Sequence, residues 1–424
     1  MERVFISGMG VVSCLGNDRD TFWANLTSGN CGLDRLQLQS ATTLQVEIGG
    51  QVRNLDLSRV AMNERLSVKR MDRCSQFAVY AAREALEDAG LPTSNLGDRC
   101  AVVLGCAVAG LETCESQKAR FIEKGASAVS PFAVSTLMPN APAANISLAF
   151  DIHGSSRVIS SACSSSGQAM IDALDSLRLG RADVVVTGGA EATLTDMLIS
   201  AFSNMKAMCR DRNDEPKKAM RPFDAHRTGF VMSEGAAVLI FETETHLRKR
   251  GGTAWAEVLS GSSTSDAFSL VRPDPQGTQA FAVIRNALEQ AGLTGSDIAD
   301  STYVSAHGTS TRYNDAIETE VIKALFGSSA YHLQMSSIKS MLGHMLGAAC
   351  AVEMAACCRA VHEGILPPTI NYETLDPECD LNYVPNMALR KDVRYAINNS
   401  FGFGGHNVCL ILQSVQDNQL RKST

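Results

Sequence analysis

Nine residues from the first half of the chain return, little changed, in the second. Arg-Glu-Ala-Leu-Glu-Asp-Ala-Gly-Leu occupies 83–91, and Arg-Asn-Ala-Leu-Glu-Gln-Ala-Gly-Leu occupies 285–293. The offset of 202, from Arg83 to Arg285, continues past the match: Ser94-Asn95-Leu96 answers Ser296-Asp297-Ile298, Asp98 answers Asp300, and Val102 answers Val304. Each copy reads as a helix stopped at its C′ position by Gly90 or Gly292, then a turn and a β-rich segment. A period this long is not that of a solenoid. It predicts a duplicated α/β unit. The apolar, β-branched runs 101–104, 182–187 and 236–241 suit strands buried on both faces, with helical stretches between several of them. Together these features predict a layered α/β architecture. The expected division is a first half at 1–255, a second at 256–412, and a polar, disordered tail at 413–424. The charged stretch from Cys209 to Arg227 reads as a surface loop.

Composition narrows the function. Hydrophobic residues make up 45% of the 424 and charged residues 20%, enough apolar material for a large core. The net charge of −7 disfavours general nucleic-acid binding. The 13 cysteines are odd in number and irregularly spaced, with no secretory signal before them. That favours free thiols in a reducing cytoplasm over a disulfide framework. No uncharged apolar run reaches the ~18 residues of a membrane span, so a soluble protein is expected.

One cysteine stands apart. The strand-like Val158-Ile159 and the serines around Cys163 lead into a stretch whose apolar positions 170, 171, 174 and 177 recur at helical spacing. Cys163 therefore falls between a strand and the first turn of a helix, with serines as candidate N-caps. Free N–H groups and the positive helix end favour a thiolate there and can hold an oxyanion. Two histidines sit in comparable settings. His307 follows a strand and opens the loop Gly308-Thr309-Ser310-Thr311. His344 follows Lys339-Ser340-Met341-Leu342-Gly343 and is expected at the N-terminus of a buried helix. Burial and the helix dipole should keep its imidazole neutral. Glu353, on the same helix, needs a partner, for which Lys339 is the candidate. The glycine-rich turn Ser400-Phe401-Gly402-Phe403-Gly404-Gly405 allows close backbone approach and precedes the last strand.

Absent motifs matter equally. There is no Walker-A loop, no complete dinucleotide fingerprint, no Cys-x-x-Cys pair and no His-Glu-x-x-His. Metal, nicotinamide and ATP chemistry are disfavoured, and no cofactor is expected. A cysteine with two histidines suggests acyl transfer through a thioester.

Four segments in order, Ser161–Ser166, Ala306–Thr311, Lys339–His344 and Ser400–Gly405, resemble the β-ketoacyl-acyl-carrier-protein synthases, the condensing enzymes of fatty-acid and polyketide synthesis. The resemblance runs from Val4 to about Leu412. It implies a thiolase-like fold, a duplicated α/β unit in five layers, and a dimer. It also implies an acyltransferase that joins a Cys-bound acyl chain to malonyl carrier protein with loss of CO2. Carried over, Cys163 is the nucleophile. His307 and His344 support decarboxylation, Lys339 and Glu353 support them, and the N–H groups of Cys163 and Phe403 form the oxyanion hole. Phe403 is also the acyl gate. Thr309 and Thr311 contact the pantetheine arm, while Val108 and Phe401 line the substrate site. Carrier protein is acidic, so Arg65, Lys69, Arg70 and Lys206 are candidates for its docking patch. Three departures bear on substrate and pathway: His406 where threonine is expected, a run of three serines after Cys163, and the bulky Tyr313. The alternatives are the catalytic subunit of a heterodimer with a chain-length factor, as in type II polyketide synthesis, a non-catalytic scaffold of the same fold, or a thiolase.

Overall fold

Gly90 and Gly292 both end their helices in the left-handed conformation, at φ 66° and 67°, and both N–H groups close back onto the last helical turn. The echo in sequence is thus an echo in backbone geometry. A computed structural model describes residues 1–38, 43–60 and 67–423, and throughout it the duplication extends to whole elements. The first half contributes strands β1 (Val4–Val12), β2 (Cys100–Gly105), β3 (Ser156–Ile159), β4 (Val184–Glu191) and β5 (Gly235–Thr243). The second contributes β6 (Ala256–Ser265), β7 (Thr302–Ser305), β8 (Gln334–Ser336), β9 (Tyr395–Gly402) and β10 (His406–Ser414). The helices that matter are α1 (Arg73–Ala89), α2 (Ala141–Phe150), α3 (Ser165–Arg178), α4 (Thr278–Ala291), α5 (Arg312–Phe326) and α6 (Ala349–Glu363).

The strands lie in the order β3-β2-β4-β5-β1 and then β6-β10-β9-β7-β8. In the first run, β1–β5 and β5–β4 are antiparallel, while β4–β2 and β2–β3 are parallel. The second run repeats this pattern strand for strand. A short antiparallel contact, Val4–Ile6 against Ala256–Val258, joins the two.

Helices α3 and α6 fill the space between the sheets, in one core with apolar residues of β1, β5, β6 and β10. Helices α1 and α2 cover the outer face of the first sheet, and α4 and α5 that of the second. The result is five layers, α-β-α-β-α. Small residues permit the close packing. A Cβ on Gly8 or Gly10 would come within 2.1 Å or 2.0 Å of a carbonyl oxygen of α1. Helix α6 is buried along nearly its whole surface, as expected of a helix whose every side is apolar or small.

Two expectations need correction. The segment beyond 412 is not a loose tail. Strand β10 runs to Ser414, Leu420 is buried, and Ala254 N–H donates to the Leu420 carbonyl at 2.7 Å. Lys422 Nζ donates to the Ser7 carbonyl at 2.9 Å and pairs with Asp88 at 2.8 Å. The stretch 209–227 is not simply a surface loop either. Arg221, Asp224 and Arg227 are buried. Arg227 bonds the carbonyls of Thr311 and Arg312 and pairs with Asp315 and Asp376. Charged residues can go inside when their partners go with them.

Candidate active site

Cys163 sits on a sharp elbow between β3 and α3. Ala162 takes φ 51°, and Ser161 and Cys163 form an isolated bridge. The serines are not side-chain caps of α3: Ser164, at the N-cap, makes no such bond. They brace the elbow instead. Ser164 Oγ donates to the Ser161 carbonyl at 2.8 Å and Ser165 Oγ to that of Ala162 at 2.6 Å, while Ser161 N–H donates to Ser165 Oγ at 2.9 Å. Ser400 Oγ, from β9, holds the Cys163 carbonyl at 3.0 Å.

His344 does not open a long helix. Lys339–Leu342 is one short turn, broken at Gly343, whose φ of 78° and ψ of −173° suit only glycine. His344 is then extended and bridged to Met232, with its N–H on the Val231 carbonyl. Leu346 takes a left-handed φ of 45°, and α6 starts only at Ala349. This detour brings His344 Nε2 to 3.0 Å from Cys163 Sγ. The His307 ring lies edge-on to that of His344, centroids 5.6 Å apart. Lys339 Nζ donates to Glu353 Oε1, both groups buried. The backbone N–H groups of Phe403 and of Cys163 itself favour the thiolate form of this sulfur.

The electrostatics follow from burial. Both imidazoles are pushed well below the ordinary histidine value, first by burial and then by the charge of Lys339. They are neutral at pH 7. Burial also raises the Cys163 thiol to about 11, outweighing the Phe403 N–H and Lys339, which lower it. A thiolate favoured at rest by the helix end is therefore not what the structure shows.

Cys163, His307, His344, Thr309, Thr311, Phe401, Phe403 and Lys206 all line one cavity of about 520 Å³. Lys339 and Glu353 stand behind it. The Phe403 ring faces Phe202 at 6.1 Å, and Phe202 meets Phe230 at 5.5 Å. Val108 does not line this cavity: it is 37% exposed, and its N–H donates to Glu191. Lys69 and Arg70 are exposed on the short turn Val68–Arg70, away from the cavity lining. Arg65 lies outside the described residues.

Several site residues escaped sequence reasoning. Arg272 and Arg312 join Lys206 in lining the cavity. Glu318 accepts the N–H groups of His307 and Gly308 at 2.8 and 2.9 Å, and burial raises its carboxyl to about 7. Glu191 ends the apolar strand β4 fully buried. A lone carboxylate closing such a run was the available signal. Among the described residues, no group of three or more His, Cys, Asp or Glu is placed to hold a metal ion, and no helix is long and apolar enough to cross a membrane.

A cysteine sulfur and two neutral imidazoles facing one cavity are groups suited to acyl transfer. Residues 1–246 match the family described as Beta-ketoacyl synthase, N-terminal domain, and residues 255–373 match its C-terminal domain. The chain belongs to the β-ketoacyl synthase family. This synthase is 37% identical over 416 residues to the 3-oxoacyl-[acyl-carrier-protein] synthase 2 of Staphylococcus aureus (strain COL), covering 98% of this chain and 99% of the relative. It is 36% identical over 416 residues to the protein of the same name from Synechocystis, again covering 98% and 99%. Among solved structures it resembles a ketosynthase/chain length factor named for ishigamide, with a TM-score of 0.90 and 31% identity over 98% of this chain and 99% of that one. It also resembles a type II polyketide ketosynthase in complex with its acyl-carrier protein and bound to the hexaketide, with a TM-score of 0.89 and 30% identity over 98% and 100%.

Proposed function

We propose that this synthase is a 3-oxoacyl-[acyl-carrier-protein] synthase that lengthens an acyl chain by two carbons from malonyl carrier protein. The observation that carries this reading is the 3.0 Å contact of Cys163 Sγ with His344 Nε2, beside His307 in one cavity. The thiol attacks the acyl thioester while its proton passes to His344, and the carrier thiol leaves with a proton. The N–H groups of Cys163 and Phe403, which already favour negative charge on the sulfur, hold the developing oxyanion. Malonyl carrier protein then loses CO2. His307, and His344 once its ring proton sits on Nε2, donate hydrogen bonds to the thioester oxygen, where the enolate charge gathers. The enolate carbon attacks the acyl-Cys163 carbonyl, the sulfur departs as a thiolate that takes up a proton from solvent, and 3-oxoacyl carrier protein is released.

The remaining roles follow position. Lys339, paired with Glu353, disfavours protonation of both imidazoles. Thr309 and Thr311, their hydroxyls 2.9 Å apart on the cavity wall, receive the pantetheine arm. The substrate travels on that arm, and no other cofactor takes part. Phe403, against Phe202, gates the acyl chain, with Phe401 beside His307 at 5.7 Å. Lys206, Arg272 and Arg312, exposed where they line the cavity, meet the acidic carrier protein. Lys69 and Arg70, exposed on a turn apart from the cavity, offer the carrier protein a second basic contact. The halves 1–255 and 256–412 divide the work, nucleophile on one and histidines on the other. All thirteen thiols are free, which suits the cytoplasm.

The partner is either a second copy of this chain or a chain-length factor. Among the described residues strand β3 is a sheet edge, paired only with β2, and Val134, Met138 and Leu148 are exposed. An exposed edge with apolar neighbours favours pairing with another chain. Val108 would be covered in such a pair. Mass spectrometry after incubation with acyl carrier protein tests the function: an acyl adduct on Cys163, then elongation when malonyl carrier protein is added, is the expected result. No adduct on Cys163 refutes it and returns the scaffold reading. Light scattering of the protein alone, and after co-expression with neighbouring gene products, separates the two partners.

A further inference from the structure

Glu191 has no cation among its partners in the described residues, yet its carboxyl group is fully buried beside the nucleophile, where burial raises it to about 7 against the pull of the N–H groups bonded to it. Its bonds go to two segments that the chain keeps far apart. Oε2 accepts Ala107 N–H at 2.8 Å and Gly347 N–H at 3.0 Å. Oε1 accepts Val108 N–H at 3.1 Å and faces the Cys106 thiol at 3.4 Å. The two segments touch directly as well. A Cβ on Gly347 would come within 2.4 Å of Ala107 N and 2.6 Å of Glu191 Oε2.

One segment borders the reacting atoms, and the other is bonded to the residues just before Cys163. Gly347 lies in the short helical turn Leu346–Ala348 just after His344, and Leu346 is a left-handed leucine that lines the cavity. Such a conformation is strained in a residue with a bulky side chain, and it persists only where the surroundings hold it. The His344 end is held by its backbone bonds to Val231 and Ser233. The other end is held by Glu191. On the opposite side, the Ala107 carbonyl accepts Ser160 Oγ at 3.3 Å, just before the Cys163 elbow.

We infer that Glu191 is a positioning residue that clamps the His344–Gly347 turn to the 106–108 segment and so sets His344 against Cys163. The inference rests on the condensing function proposed above. Only a carboxylate supplies acceptors for three backbone N–H groups at once. An amide of the same shape presents N–H to N–H at one of them.

The test is a double-mutant cycle on CO2 release from malonyl carrier protein, comparing wild type, Glu191→Gln, His344→Ala and the double variant. Melting curves and circular dichroism confirm folding. Glu191→Gln should lower CO2 release about tenfold. In the His344→Ala background it should change the rate by less than twofold, because the group it positions is gone. A purely structural role predicts the opposite, the same tenfold loss in both backgrounds, and that result overturns the inference, as does a Glu191→Gln rate within twofold of wild type. If Glu191→Gln does not fold, Glu191→Asp takes its place, keeping the charge while shortening the reach. Failure of both variants to fold would assign Glu191 to the folding core and also overturn it. Wild type that neither acylates Cys163 nor releases CO2 would instead sink the proposed function.

Discussion

At Cys163 two effects oppose one another. Backbone N–H groups and Lys339 stabilise a thiolate, and burial destabilises it more, so the thiol titrates at about 11. The sulfur is therefore neutral at rest, and in the proposed reaction its proton leaves only as the carbonyl carbon is attacked. Iodoacetamide should report this. Alkylation of Cys163 is expected to rise about tenfold per pH unit from pH 7 to pH 10, since the thiolate fraction grows until pH passes the thiol value. A plateau near pH 8.5 would show an ordinary exposed cysteine. The histidines give the complementary acid-side result. Their values lie well below 6.5, so both remain neutral as pH falls from 8 to 6.5, and CO2 release should show no histidine inflection there. An inflection near 6.5 would contradict buried, neutral rings. Rim charges are the other residue-level test. Reversing Lys206 and Arg272 to glutamate should raise KM for carrier-bound substrate at least severalfold and leave KM for a small free thioester unchanged. An equal change in both would remove the rim from carrier docking.

At the scale of elements, the strands and the echoing helices were readable because they carry redundant signals. Apolar β-branched runs, helical periodicity and two glycine stops point the same way at 83–104 and 285–304. The elbow at Cys163 was legible for the same reason, since a strand, a serine-rich turn and a helix follow one another directly. The approach to His344 was not. Periodicity across Lys339–Ala355 is continuous, and a single glycine inside it does not announce a break. The break comes from tertiary contacts, the bonds of His344 to Val231 and of Gly347 to Glu191. The buried 219–227 stretch was missed for a related reason: its charges read as solvated until Asp315 and Asp376, far along the chain, are known to pair with them. Gly343 makes the point testable. A Cβ there would lie 2.9 Å from the Val231 carbonyl, in a conformation that only glycine holds easily. Gly343→Ala should cost about 2 kcal/mol of stability and displace His344, lowering condensation at least tenfold. A variant with wild-type melting temperature and turnover would show that the turn tolerates a side chain.

At the scale of the whole molecule, the C-terminal segment acts as a latch. Lys422 and Arg19 together neutralise Asp88, whose carboxylate also accepts Trp255 Nε1 at 2.7 Å and Met9 N–H at 3.0 Å. Removing residues 416–424 takes away one of the two cations and uncovers Val415. The loss should be about 3 kcal/mol, read as a melting temperature lower by a few degrees, with the active-site reactions unchanged in the folded fraction. Unaltered melting would return the segment to the status of a loose end. The duplicated architecture has a larger consequence, seated in α6. That helix has almost no wet side, and it packs with α3 between the two sheets. Neither half can drift away and remain folded, because whichever half kept α6 would offer a nearly bare apolar cylinder to water. The chain should therefore melt in a single calorimetric transition despite its two-part ancestry, its catalytic seam failing together with everything else.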